Sequence, residues 1–297
     1  TAPIIYSKGG SLLRQFRGHI GEAAFQRGLR SFLAAHAYGC ASSRDFWRAF
    51  EGPGGASPLA LMRPWVEQAG YPLVTARREG RRLHLRQSRF TYGPGEHTAR
   101  WPIPLGLATL DERGRRTVTP MVLEEREATL SLGEAAAYHL NAGRTGFFRV
   151  HYADPDGWDA QARLAAAGAL ESAERWGLQE DLFALVRAGM LPPGRYWAWV
   201  KACGWETDPL PLLGMASHLL ELFRVLHPRD RAPLAAAAGD WTAAALERLG
   251  WEPLEGEPLG HARRREDLLW PAVVYGAPGA AAEAARRAAD LDRGGVV

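Results

Sequence analysis

The stretch Met62-Arg63-Pro64-Trp65-Val66-Glu67-Gln68-Ala69-Gly70-Tyr71-Pro72-Leu73-Val74-Thr75 decides the fold, because the apolar period changes inside it. Leu61, Met62 and Trp65 recur at helical spacing, which puts them on one stripe of a helix from about Pro58 to Gln68. After Gly70 the period falls to two, and Tyr71 to Thr75 is apolar and β-branched, as a strand requires. Two kinds of packing therefore meet at this join.

Upstream, helices are expected. Ser11 to Gly18 carries Leu12, Leu13 and Phe16, and Glu22 to His36 carries Phe25, Leu29, Phe32 and Leu33 at i, i+4, i+7 and i+8. Ser42 followed by Asp45 reads as a hydroxyl cap with an acid three residues on, ahead of Phe46, Trp47 and Phe50. Gly52-Pro53-Gly54-Gly55 reads as a loop.

Downstream, six further short strands follow the first, in 82–86, 101–107, 117–122, 128–132, 138–141 and 146–152. Turn signals such as Glu79-Gly80, Gly93-Pro94-Gly95 and Arg113-Gly114 separate them at the spacing of a sandwich. Pro102 and Pro104 confine the third strand to an edge or a bulge. From Asp154 the pattern is helical again: 158–169, 176–187, 193–203, 210–226, 240–249, 261–275 and 280–289, with short Gly and Pro breaks. No strict repeat period is visible, but consecutive short helices suggest stacked pairs in the manner of a solenoid.

Composition bounds the function. With 46% apolar and 23% charged residues, the 297-residue chain is globular, and its apolar runs are too short to cross a bilayer. The basic residues are almost all Arg, with Lys only at Lys8 and Lys201, a skew that reads as codon bias. A net charge of +3 is nearly neutral at this length and argues against nucleic-acid binding. Arg77, Arg78, Arg81, Arg82, Arg86 and Arg89 cluster, and Arg263-Arg264-Arg265 follow, but no stacking aromatics interleave and Arg82, His84 and Arg86 share one solvated strand face. Most of the 11 Trp fall on helical stripes with Leu or Phe, and core packing is the use expected for nearly all of them. Cys40 and Cys203 lie too far apart to suggest a disulfide framework or a cysteine-rich zinc site, so a reducing, cytoplasmic compartment is expected. No two of the nine His are spaced i, i+4, and His-Glu-x-x-His, Gly-x-Ser-x-Gly and phosphate-loop patterns are missing. The absence of an initiator Met and the Gly294-Gly295-Val296-Val297 ending suggest truncation.

An ordered series of segments resembles a known family. Ile4-Ile5-Tyr6-Ser7-Lys8-Gly9-Gly10-Ser11-Leu12-Leu13 is similar to the segment of the aminopeptidase N (gluzincin) family of zinc aminopeptidases that carries their catalytic tyrosine. Phe25 to Arg30, His36 to Gly39 and Asp45-Phe46-Trp47 resemble the helices that follow it. Met62 to Val74 resembles the family's join to its sandwich, and Arg89-Phe90, Trp101 to Leu105 and Asn141 through Gly146-Phe147-Phe148-Arg149-Val150-His151-Tyr152 continue the series. The match is looser at Ala184 to Gly189 and at Gly250 to Pro253.

The resemblance implies a multidomain α+β fold: the helical end of a thermolysin-like catalytic domain over 1–69, a small β-sandwich over 70–153 and an α-helical, solenoid-like superhelical domain over 154–297. It implies a peptide substrate and a catalytic Tyr6, whose phenol would stabilise the oxyanion of the tetrahedral intermediate. Lys8 is expected to serve as a structural partner. Zinc is implied for the complete enzyme, but the family's His-Glu-x-x-His, the Glu on its next helix and its motif for the substrate amino terminus would all lie before Thr1. This chain alone is therefore expected to be inactive, with the missing N-terminal part as its partner and with neither nucleic acid nor membrane involved. A non-catalytic binding or scaffolding module is the alternative, under which Tyr6 is a packing residue.

Overall fold

The computed structural model describes residues 3–52, 57–93, 95, 98–252, 255–257 and 259–292. Among these lie eleven α-helices and seven strands in two sheets, a mixed helix and sheet fold. The chain forms two compact units, one of Thr1–Glu174 with Ala184–Pro192 and the other of Arg175–Phe183 with Pro193–Val297. The glycine-rich loops expected at 52–55 and 93–95 fall largely on residues 53–55 and 94, outside the described residues.

The first unit opens with a π-helical turn, Pro3–Lys8, which runs into α1 (Gly9–Ile20). Helices α2 (Glu22–Ala35), α3 (Ser43–Arg48) and α4 (Pro58–Glu67) follow. Ser42 caps α3 as expected: its Oγ accepts from Asp45 N, and Asp45 Oδ2 accepts from Ser42 N at 2.9 Å. These helices close on aromatic rings. Phe16, fully buried, meets Trp47 edge-on at 5.2 Å and Phe50 at 5.1 Å, the geometry that ring quadrupoles favour.

The join at Gly70 behaves as its change of period requires. Trp65 is fully buried and donates its indole N–H to Pro102 O at 3.0 Å, tying α4 to the sheet region. The strands are β1 (Pro72–Glu79), β2 (Arg82–Arg89), β3 (Ile103–Leu110), β4 (Arg116–Leu123), β5 (Glu127–Ser131), β6 (Ala137–Leu140) and β7 (Arg149–Tyr152). One sheet has the order β5-β2-β1-β7, with β1 and β7 parallel, and the other β4-β3-β6. The buried amide of Gln87 links them: it accepts from Trp101 N and donates to Trp101 O at 2.9 Å and Glu125 O at 3.0 Å. Strand β3 is central, yet it tolerates Pro104 because β6 pairs only with its far half, Leu107 to Leu110. Pro120 lies on the edge strand β4. α5 (Gly157–Ala166) follows the sheets.

In the second unit, α6 (Ser172–Arg187) contributes residues 175–183 and is followed by α7 (Pro193–Ala202), α8 (Pro209–Val225), α9 (Arg231–Leu249), α10 (Leu259–Tyr275) and α11 (Ala280–Asp292). Helices α8, α9 and α10 close on small side chains, with Ala216, Ala245, Leu246, Leu268 and Ala272 buried together. Helix α9 begins nine residues before the expected Asp240, at Arg231. Pro233 falls in its first turn, where the missing N–H costs nothing, and Ala235 to Ala238 carry high helix propensity. Two tryptophans read as core are exposed instead: Trp205 at 42% and Trp270 at 60%.

Candidate active-site segment

Tyr6 stands in the π-helical turn at the head of α1 and is 78% exposed, with Ile4 and Ile5 exposed beside it. Two hydrogen bonds hold this turn. Ser11 Oγ donates to Ser7 O at 2.7 Å, and Lys8 Nζ donates to Gln68 O, at the carboxyl end of α4, at 3.2 Å. A cation at that end of a helix is electrostatically favourable. Burial of Lys8 pushes its ammonium below the ordinary lysine value.

The other end of α1 is held much more firmly. Leu12, Gln15 and Phe16 are buried. Gln15 Oε1 accepts from Phe147 N at 2.8 Å. Arg14 donates to Gly143 O at 3.0 Å and to Arg144 O at 3.2 Å. Gly18 sits so close to Thr145 that a Cβ there would lie 2.8 Å from the threonine Cβ. All these contacts fall on one loop, 141–147, between β6 and β7.

That loop is strongly determined. Asn141, Gly143 and Arg144 all take positive φ, at 62°, 67° and 52°, a conformation costly for Arg and tolerated by Asn. The Asn141 amide closes the loop on itself, with Oδ1 accepting from Gly146 N at 2.8 Å and Nδ2 donating to Gly146 O at 3.1 Å. Glu174, with no exposed side-chain surface, accepts from Gly143 N at 2.6 Å and from Glu171 N at 2.8 Å. Arg116 grips the same carboxylate with two nitrogens. Burial opposes the Glu174 charge, but Arg116, His139 and the two backbone N–H groups outweigh it and hold the carboxyl below the usual range. His139 is buried 4.0 Å from Glu174, bonded to Gln161 and Tyr152, and burial pushes its pKa down. Glu174 was not singled out in the sequence; its only signal was an acid three residues after Glu171 at a helix start.

The other candidates resolve simply. In the arginine cluster, Arg77 pairs with Glu79, Arg81 with Glu134 and Arg86 with Glu127, while Arg78 donates to the carbonyls of Gly80, Ala135 and Ala136. Arg265 pairs with Glu257. Cys40 is exposed, and Cys203 is buried with its thiol pushed up to about 12. Among the described residues no group of three or more His, Cys, Asp or Glu could hold a metal, so the residues present do not fit a zinc site. Among the described residues no helix is long and apolar enough to cross a membrane.

Residues 137–295 match the ERAP1-like C-terminal domain and residues 2–65 match the peptidase family M1 domain. The chain belongs to this family, the zinc aminopeptidases of the aminopeptidase N type, and carries a C-terminal portion without the zinc-binding motif. It is 30% identical to tricorn protease-interacting factor F2 of Thermoplasma volcanium over 83% of this chain and 30% of that protein. It is 27% identical to aminopeptidase M1 of Arabidopsis thaliana over 96% of this chain and 34% of that one. A leucyl aminopeptidase of Saccharolobus solfataricus is 28% identical over 75% of this chain and 27% of its own length. The chain thus spans about a third of the length of the curated relatives it matches.

Proposed function

We propose that this chain is the C-terminal portion of a zinc-dependent aminopeptidase that removes amino-terminal residues from peptides, and that Tyr6 donates a hydrogen bond to the oxyanion formed at the scissile carbonyl. In this reading residues 1–69 end a thermolysin-like catalytic domain, 70–153 form a β-sandwich and 154–297 begin a superhelical domain. The observation that carries it is the exposure of Tyr6 at the head of a helix whose other end is buried and pinned. No described part of this chain covers the phenol as core, which leaves it open to a substrate. Ile4, Ile5, Leu33, Tyr38 and Val66 are exposed in the same helical region, and the zinc-bearing N-terminal part of the enzyme would cover them.

The chemistry assigned to Tyr6 needs only its own proton. A phenol hydroxyl can donate a hydrogen bond to a developing negative charge. Because that bond strengthens as charge develops, it belongs to the transition state and not to substrate binding.

Tyr6→Phe in the full-length enzyme tests this. The expected result is a fall in kcat of about 10²–10³-fold, with KM, zinc content and melting temperature little changed. A loss below about fivefold removes Tyr6 from the mechanism. The alternative, a non-catalytic binding module, stands if the zinc-supplemented full-length protein fails to cleave aminoacyl substrates.

A further inference from the structure

We propose that Arg14, Gln15 and Gly18 are positioning residues for Tyr6: gripping the loop 141–147, they set the tilt of α1 and thereby where the phenol stands. The proposal rests on the catalytic reading of Tyr6 and adds a device that reading does not contain.

The asymmetry of α1 is the argument. Its amino end carries Tyr6 but has little to fix it. Ile4, Ile5 and Tyr6 are exposed, Gly10 has no atom within 4 Å of where a Cβ would be, and Lys8, which makes no capping bond, gives one bond to Gln68 O on α4. Its Arg14 to Gly18 half makes four specific contacts with one loop: Gln15 with Phe147 N, Arg14 with Gly143 O and Arg144 O, and the close approach of Gly18 to Thr145. A helix fastened much more firmly at one end than at the other is a lever. From Arg14 to Tyr6 is roughly 12 Å at 1.5 Å per residue, so a tilt of ~5° at the loop moves the phenol by ~1 Å. Displacements of that size cost up to about 10²-fold in rate when a reacting geometry is set elsewhere.

The loop is suited to be the fixed point. Arg144 holds a positive φ that a free chain would leave, and such a conformation persists only where surroundings over-determine it. Here the Asn141 amide closes the loop from within, and the Glu174 carboxylate accepts from Gly143 N while Arg14 donates to the Gly143 carbonyl. One peptide unit is thus gripped by Glu174 and its neighbour by α1.

The test uses the full-length, zinc-loaded enzyme. Arg14→Leu removes two exposed hydrogen bonds and should fold normally; Gly18→Ala forces the helix off Thr145. Each is made alone and in a Tyr6→Phe background, with kcat and KM measured, and with amide hydrogen exchange along α1 and at Phe147 as the readout independent of turnover. The expected result is faster exchange in both places, a fall in kcat of about tenfold, KM within twofold, and a further loss of less than twofold once Tyr6 is already Phe, because coupled residues are non-additive. If the tenfold loss persists undiminished in the Tyr6→Phe background, the residues act elsewhere and this inference falls while Tyr6 keeps its role. Unchanged kcat in both single variants also overturns it, whatever exchange does. A Tyr6→Phe variant with normal kcat overturns the catalytic reading and this inference together. If Gly18→Ala does not fold, Arg14→Leu alone decides.

Discussion

Replacing Glu174 by Gln keeps the shape of the side chain and removes its charge. Each carboxylate oxygen accepts two donors: Oε1 takes Gly143 N and one Arg116 nitrogen, and Oε2 takes Glu171 N and the other Arg116 nitrogen. A Gln amide offers one oxygen and one NH₂. Whichever way it is turned, one backbone N–H and one guanidinium N–H then face another donor. A hydrogen bond to a charged group contributes ~1.5–3 kcal/mol, and a buried donor left unmatched costs ~1–3 kcal/mol. Since the Glu174 side chain has no exposed surface and that of Arg116 is 22% exposed, solvent screens little of this. Breaking one side of a buried ion pair ordinarily costs ~3–5 kcal/mol, and that is the expected loss. At ~2–4 °C per kcal/mol for a domain of this size, it corresponds to a drop in melting temperature of roughly 6–20 °C. Because the chain has two compact units, a single unfolding curve is not two-state. The assay is therefore hydrogen exchange at Leu140, whose N–H donates to the buried Tyr152 hydroxyl in the first unit. A loss below about 1 kcal/mol at that amide would show that the network carries little of the stability assigned to it. Adding Arg116→Met should restore part of the loss, since it removes the stranded cation.

Acidification should act on the same cluster in two stages. Burial holds the folded His139 pKa below its unfolded value near 6.5, so stability is full above that pH and declines as pH falls through it; His139→Gln should flatten this first limb in a pH series of urea midpoints. Glu174, also depressed when folded, holds its contribution above about pH 4.3 and loses it on further acidification, so Glu174→Gln should flatten the second limb and, by removing the charge that favours protonated His139, deepen the first. In the second unit, Gly214→Ala should destabilise by ~1–3 kcal/mol despite the gain in helix propensity. Its Cβ would lie 2.0 Å from Nε2 of Gln179, which is fully buried, so the amide must shift within packed surroundings; an unchanged or raised melting temperature would contradict this.

What could be read from the residues alone divides along a physical line. Helix and strand periods are properties of neighbours in sequence, and the helix stripes, the seven strands and the Ser42–Asp45 cap all rest on them. The start of α9 was missed because Pro233 reads as a breaker until it is known to lie in a first turn. The exposure of Trp270 was missed because a tryptophan on a helical stripe looks the same whether or not a neighbouring element covers it. Glu174 illustrates the deeper limit. As a residue type it belongs on the surface, and its sequence neighbours suggest nothing more than a helix start. Its burial is decided by Arg116, Gly143 and His139, which lie from 31 to 58 residues away. Tyr6 shows the complementary case. No period, spacing or composition distinguishes it from a packing tyrosine, and only the ordered series from Tyr6 to Tyr152 singled it out. The fold adds what that series could not: its ring is exposed while Arg14, Gln15 and Gly18, within the next three turns of chain, are fastened to a loop more than 120 residues onward. The long-range contacts that escaped the sequence are thus the ones that decide whether a residue the sequence did mark can be held in place to act.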